Sequence, residues 1–175
     1  HTGPSDSNSS LVVASDTSLS VLDHVNTLSR TCLHEAAWRG HSKLVAIILR
    51  ARGVRIAQQG DCSGRTALHL ACDKGHSEVA AKLLQNEAGV NIGDNHRSKP
   101  LHVAAFKGHK ECAGLLLEHG AEPEALDIYG CTPLILAATA GHTSTIEILL
   151  MHCRNVGLAD KGQRSALSWA AGQGH

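Results

Sequence analysis

From Lys99 to Gly120 the apolar residues fall at helical spacing twice, with a break between. Leu101, Ala104 and Ala105 share one face of a 3.6-residue period. Pro100 stands at the first helical position, where its missing N–H costs no hydrogen bond. Gly108 accepts the left-handed conformation that ends a helix. A second helix carries Cys112, Leu115 and Leu116 inward, with Glu111 and Glu118 outward, and stops at Gly120. The segment AEPEALDIYG then reads as an extended loop with a turn at Tyr129–Gly130. The same alternation predicts helices over 33–39 and 42–51, 67–74 and 77–87, and 133–140 and 144–152.

The pattern returns because the sequence does. TCLHEAAWRGH from Thr31, TALHLACDKGH from Thr66, KPLHVAAFKGH from Lys99, TPLILAATAGH from Thr132 and SALSWAAGQGH from Ser165 are spaced 35, 33, 33 and 33 residues apart. This period, with T-P-L-H-x-A inside it, resembles the ankyrin-repeat family over about residues 22–175. The resemblance implies an all-α ankyrin-repeat solenoid of stacked helix-turn-helix units with hairpin loops. Stacking supplies the core, since one unit cannot bury its own apolar face. The array is expected over 31–175, about five repeats with the last stopping after its first helix. Residues 17–30 would form an N-terminal cap or a degenerate repeat, and 1–16 a flexible or vector-derived tail rich in Ser, Gly and Asp. The two extra residues of the first spacing are placed in the loop ARGVRIAQQGD, where insertions cost little.

Composition narrows the function. Lys plus Arg and Asp plus Glu both total 16, so no global charge draws the chain to nucleic acid or a membrane surface. No apolar run approaches the length of a membrane span. The six cysteines include no CxxC pair, which weakens both a disulfide framework and a zinc site. Reduced thiols point to an intracellular setting, cytoplasmic or nuclear.

Repetition also decides how the polar residues are read. Of thirteen histidines, His34, His69 and His102 occupy the Leu-His position, and His41, His76, His109, His142 and His175 follow the turn glycine. The family resemblance implies that the first set hydrogen-bonds the repeat's own Thr and neighbouring backbone; the second set is expected to cap or pack at the turn between helices. Repeat-equivalent side chains point in parallel and do not converge as metal ligands must. Asp61, Asp94, Asp127 and Asp160 each stand five residues before the repeat's first position, which fits Asx turns better than a catalytic carboxylate. Cys72, four residues before His76, reads as an inert buried thiol and not a nucleophile. No enzyme activity, cofactor or metal is expected.

Function is left to positions the repeat does not use. The resemblance implies that these are the hairpin tips and the exposed end of each first helix, lining one concave face. Three of the four aromatics, Trp38, Phe106 and Tyr129, map there, while Trp169 has a normally inward phase. Seven basic residues map there too: Arg30, Arg39, Arg65, Lys74, Lys107, Lys161 and Arg164, against one acid, Asp73. Ile128 adds an apolar loop position. Aromatics and Arg dominate interface energetics. The expected partner is a protein or peptide segment with acidic residues and an apolar anchor. The alternative is regulatory sensing of a phosphorylated small molecule through Trp38, Lys74 and Phe106. Two repeats separate the two aromatics, about 20 Å at helix-packing distances, which argues against their sandwiching one base. The plainer alternative is that these are solvated charges complementing helix dipoles and scattered surface aromatics, but the joint aromatic and basic enrichment on one face favours binding. Asn91 resembles the hairpin asparagine that an asparaginyl hydroxylase modifies, although Gly89 stands where that pattern prefers an acid; a structural hydrogen bond is the simpler expectation.

Overall fold

The computed structural model describes residues 25–175, so the expected tail at 1–16 and most of the expected cap at 17–30 lie outside the described residues. The described chain forms helices α1 (Cys32–Trp38), α2 (Ser42–Arg52), α3 (Val54–Ala57), α4 (Ala67–Lys74) and α5 (Ser77–Gln85). It continues with α6 (Pro100–Lys107), α7 (Lys110–Glu118), α8 (Pro133–Ala140), α9 (Thr143–His152) and α10 (Ala166–Gln173). Among these residues the only β-type pairing is an isolated bridge between Ala159 and Ser165.

Two layers result. The first helices α1, α4, α6, α8 and α10 pack in sequence, and α2, α5, α7 and α9 pack behind them. Leu33, Leu68, Leu101 and Leu134 are buried at equivalent positions, and Ala pairs such as Ala36–Ala37 and Ala104–Ala105 let neighbouring helices approach. Each buried Leu is worth about 2 kcal/mol of transfer free energy.

Helix ends follow from sequence at both sides of each unit. Thr66 N–H donates to His69 Nδ1 at 3.1 Å, and Thr66 Oγ1 lies 2.9 Å from the same nitrogen. That nitrogen is therefore an acceptor, so the proton sits on Nε2, which donates to the Ser98 carbonyl of the next repeat at 2.9 Å. His34 and His102 repeat the arrangement, reaching Arg65 O and Ala125 O, both at 3.0 Å. The Thr–His expectation holds for His34 and His69; at His102 the Thr position is Lys99, whose backbone N–H alone donates to Nδ1, and each of the three rings also ties two repeats together.

The second histidine set does the same on the other side of the turn. His76, His109, His142 and His175 direct Nε2 at the carbonyls of Trp38, Asp73, Phe106 and Thr139, over 3.1–3.3 Å. The turn glycines leave room for these rings.

Two elements differ from the sequence reading. The helix expected over 77–87 stops at Gln85, because Glu87 turns left-handed at φ 59°. The loop ARGVRIAQQGD is not wholly irregular: α2 runs on to Arg52, and α3 buries Ile56 and Ala57 against the core. An apolar Val-Arg-Ile-Ala run beside an open core edge gains more by burial than by remaining solvated.

Candidate partner-binding face

The hairpin tips are stitched in series. Cys62 N–H donates to Leu28 O, Asn95 to Ser63 O, Ile128 to His96 O and Lys161 to Tyr129 O, at 2.9–3.0 Å. Asn26 Oδ1 closes the first tip by accepting from Leu28 and Arg30 N–H, and an aspartate closes each of the other four. Asp94 Oδ1 accepts from His96 and Ser98 N–H, and Asp127 Oδ1 accepts from Tyr129 and Cys131 N–H, at 2.8–2.9 Å. Asp61 and Asp160 do likewise, so the Asx turns expected from sequence are present in all four tips.

Charge on this face is more balanced than the sequence tally implies. Asp61 Oδ2 lies 3.1 Å from Arg65 Nη2 and 3.4 Å from Arg30 Nε. Asp160 Oδ2 takes Arg164 Nη2 at 3.2 Å and Trp169 Nε1 at 2.9 Å. Glu35 pairs with Arg39 at 3.6 Å. Asp73 sits between Lys74 at 3.4 Å and Lys107 at 3.6 Å. Burial pushes the Asp61 carboxyl up, but the Arg65 and Ser63 backbone N–H groups and the Arg65 guanidinium outweigh it and hold it below the usual carboxylate range. At Asp160 the Arg164 backbone N–H leads, with the Trp169 indole, the Arg164 guanidinium and the Gly162 N–H, and its carboxyl is also lowered.

The aromatics extend this network. Lys74 Nζ stands 5.2 Å from the Trp38 ring centre and Lys107 Nζ 5.7 Å from that of Phe106, both within cation–π range. Asp73 joins the two lysines, so Trp38, Lys74, Lys107 and Phe106 form one ridge along the ends of the first helices. Phe106 and Tyr129, 47% and 62% exposed, also border a groove of about 400 Å³ whose apolar lining includes Val103 and Leu136. Arg65, Asp73 and Lys107 line it as well. Trp38 lies outside the groove lining, and Arg164 belongs to the adjacent hollow over Trp169. Ile128 is half-buried and holds the tip through its backbone.

The description "Ankyrin repeats (3 copies)" belongs to a family model that matches residues 33–127 and 120–175. The chain belongs to the ankyrin-repeat family. Ankyrin repeats are in general protein–protein interaction domains, built as helical repeat solenoids. A search of curated proteins gave no match.

Within this ankyrin array the histidines hold structure. Burial pushes His69 down to about 4, against the opposing pull of the Ser98 carbonyl and the Asp94 carboxylate. His34 and His102 are lowered by burial in the same way. Among the described residues, no group of three or more His, Cys, Asp or Glu side chains could hold a metal ion. No helix among them is long and apolar enough to cross a membrane. Asn91 uses both ends of its amide: Nδ2 donates to Gly120 O at 2.9 Å and Oδ1 accepts from Glu122 N–H at 3.0 Å. A cleft of about 440 Å³ beside Leu117, Glu122 and His152 has no aromatic wall, and its Glu124 is taken up by Arg154 and Asn155 N–H.

Asp94, Asp127, Val103 and Leu136 are among the groove residues that the repeat phase does not assign to this face. Asp94 and Asp127 were absorbed by their turns. The signal that distinguishes them is at the fourth residue after each aspartate: Arg65 and Arg164 follow Asp61 and Asp160, but Ser98 and Cys131 follow Asp94 and Asp127.

Proposed function

We propose that this ankyrin array is a non-catalytic docking module that holds a segment of a partner protein on its concave face. The groove between Phe106 and Tyr129 carries the reading, because two exposed aromatic walls over an apolar floor suit a hydrophobic anchor. Acidic residues of the partner would lie along the ridge, where one carboxylate, Asp73, serves both Lys74 and Lys107. Arg39, exposed beside Glu35 and next to Trp38, extends that ridge's positive surface, and the exposed Lys161 adds a charge at the last hairpin tip. A phosphorylated small ligand is the weaker reading, since Asp73, Asp94 and Asp127 all border the same groove and would repel it.

The test is a salt-titrated pulldown with mass-spectrometric identification, using wild type, Trp38→Ala/Phe106→Ala and Arg39→Glu/Lys74→Glu/Lys107→Glu, after circular dichroism shows equal folding. A partner retained by wild type, lost from both variants and weakened by salt supports docking on this face. Partners kept by every variant move the function elsewhere.

A further inference from the structure

Four hairpin tips share one aspartate, and two of them show what its second oxygen takes. At Asp61 and Asp160 that oxygen holds the guanidinium of the arginine four residues on, Arg65 and Arg164. Arg164 also lies over an aromatic, with its Cζ 3.8 Å from the Trp169 ring centre. A carboxylate with an aromatic face beside it is a strong guanidinium site, because ion pairing and stacking act together.

The central tips carry the same aspartates without the arginine. Asp94 and Asp127 spend Oδ1 on their turns, and among the described residues no hydrogen bond or ion pair reaches Oδ2 of either. Asp127 is only 8% exposed, yet it lines the groove with Asp94. The bases nearby are committed: Arg65 to Asp61 and Lys107 to Asp73. Tyr129 supplies an exposed aromatic ring in the same groove, and Phe106 a second, approached by Lys107 Nζ at 5.7 Å from its ring centre. The second oxygen of each is left to solvent at the groove wall, the position where the flanking tips seat a guanidinium.

We propose that the groove takes an arginine side chain from the docked partner segment, its guanidinium on the free oxygen of Asp94 or Asp127 and its plane against Phe106 or Tyr129, where Arg65 and Arg164 fill the flanking tips in cis. This rests on the docking reading above and specifies its occupant: a segment with one arginine seated among carboxylates, flanked by the acidic residues that meet the lysine ridge. Lysine would fit less well, because it offers neither the planar fork nor the stacking surface.

The experiment is panning of a random peptide library on the folded array, followed by fluorescence anisotropy of the selected peptides and of their arginine-to-citrulline versions. Citrulline keeps the shape and removes the charge. Asp94→Asn/Asp127→Asn keeps an acceptor oxygen for each turn, so folding is preserved, and Ser98→Arg supplies the missing guanidinium in cis. The expected result is peptides sharing an arginine, weakened about tenfold or more by citrulline, by the Asn pair and by Ser98→Arg. Peptides that depend on Phe106 and Tyr129 but tolerate citrulline and the Asn pair would overturn the arginine site and leave docking standing. No peptide lost on Phe106→Ala/Tyr129→Ala would overturn both.

Discussion

His109 reaches back one repeat to place Nε2 3.3 Å from the carbonyl oxygen of Asp73. The hydrogen bond is possible only because the intervening surface is glycine. Gly75 has φ +72°, and a Cβ there would fall 2.6 Å from His109 Nδ1. The same pairing recurs at Gly40–His76, Gly108–His142 and Gly141–His175, so the Gly-His of one repeat is shaped by the histidine of the next.

Gly75→Ala therefore carries two costs, about 1–2 kcal/mol for a left-handed alanine and a further steric cost against the His109 ring. Gly120→Ala, at φ +84° with no atom within 4 Å of the added Cβ, carries only the first. Urea unfolding should rank Gly75→Ala well below Gly120→Ala. Adding His109→Ala to Gly75→Ala should be less damaging than the sum of the two single changes. Equal losses for the two glycines would contradict the close packing of ring and turn.

Acid should loosen the array before its carboxylates titrate. The folded-state pKa of His69 is about 4 against an ordinary 6.5, so the unfolded chain binds a proton that the folded chain refuses. Its contribution is fully present above pH 6.5, declines as pH falls, and is gone below about 4. Between pH 7 and 5 this one histidine removes on the order of 2 kcal/mol. His34 and His102, lowered in the same direction, add to the loss. Denaturant unfolding at the two pH values tests it, and a His69→Gln variant should show a smaller pH dependence than wild type.

At Asp61 the turn and the arginines can be separated. Asp61→Asn keeps an acceptor for the Ser63 and Arg65 N–H groups and loses the charge that holds Arg30 and Arg65. Asp61→Ala loses both. The expected order of stability is wild type, then Asn lower by about 1–2 kcal/mol, then Ala lower by about 3 kcal/mol or more. Thermal unfolding by circular dichroism gives the ranking, and an Ala variant as stable as the Asn variant would deny the turn its role.

Thiol labelling reports packing directly. Cys62 is exposed, Cys32 and Cys153 are half-buried, and Cys72, Cys112 and Cys131 are buried. Burial and the neighbouring Asp127 carboxylate push the Cys131 thiol up to about 11. Under native conditions at pH 8, Cys62 should react first with a thiol reagent, and Cys72 and Cys131 only on unfolding. Peptide mapping of the modified sites checks the order.

The repeat made most of the fold legible. Leu33, Leu68, Leu101 and Leu134 recur in phase, and the turn glycines mark each first helix's end, so the predicted helices stand within a residue or two of their positions. The insert was harder to place, because α3 is a single helical turn held by Ile56 and Ala57 contacts that no periodicity announces. The face was legible in part. Its aromatics follow from repeat phase, but its charges do not: Arg30 meets Asp61 across repeats and Lys107 meets Asp73, pairings set by stacking. Asp94 and Asp127 look like ordinary turn residues until the fold shows which of their oxygens is occupied.

The most direct measurement of docking is photo-crosslinking in cells with a benzophenone amino acid at one position at a time. Position 106 lies in the groove, and Met151 on α9, 74% exposed, serves as the comparison. Docking on the concave face predicts a discrete crosslinked protein from position 106, reduced by Tyr129→Ala, and none from position 151. The same product from position 151, with nothing from position 106, would contradict it.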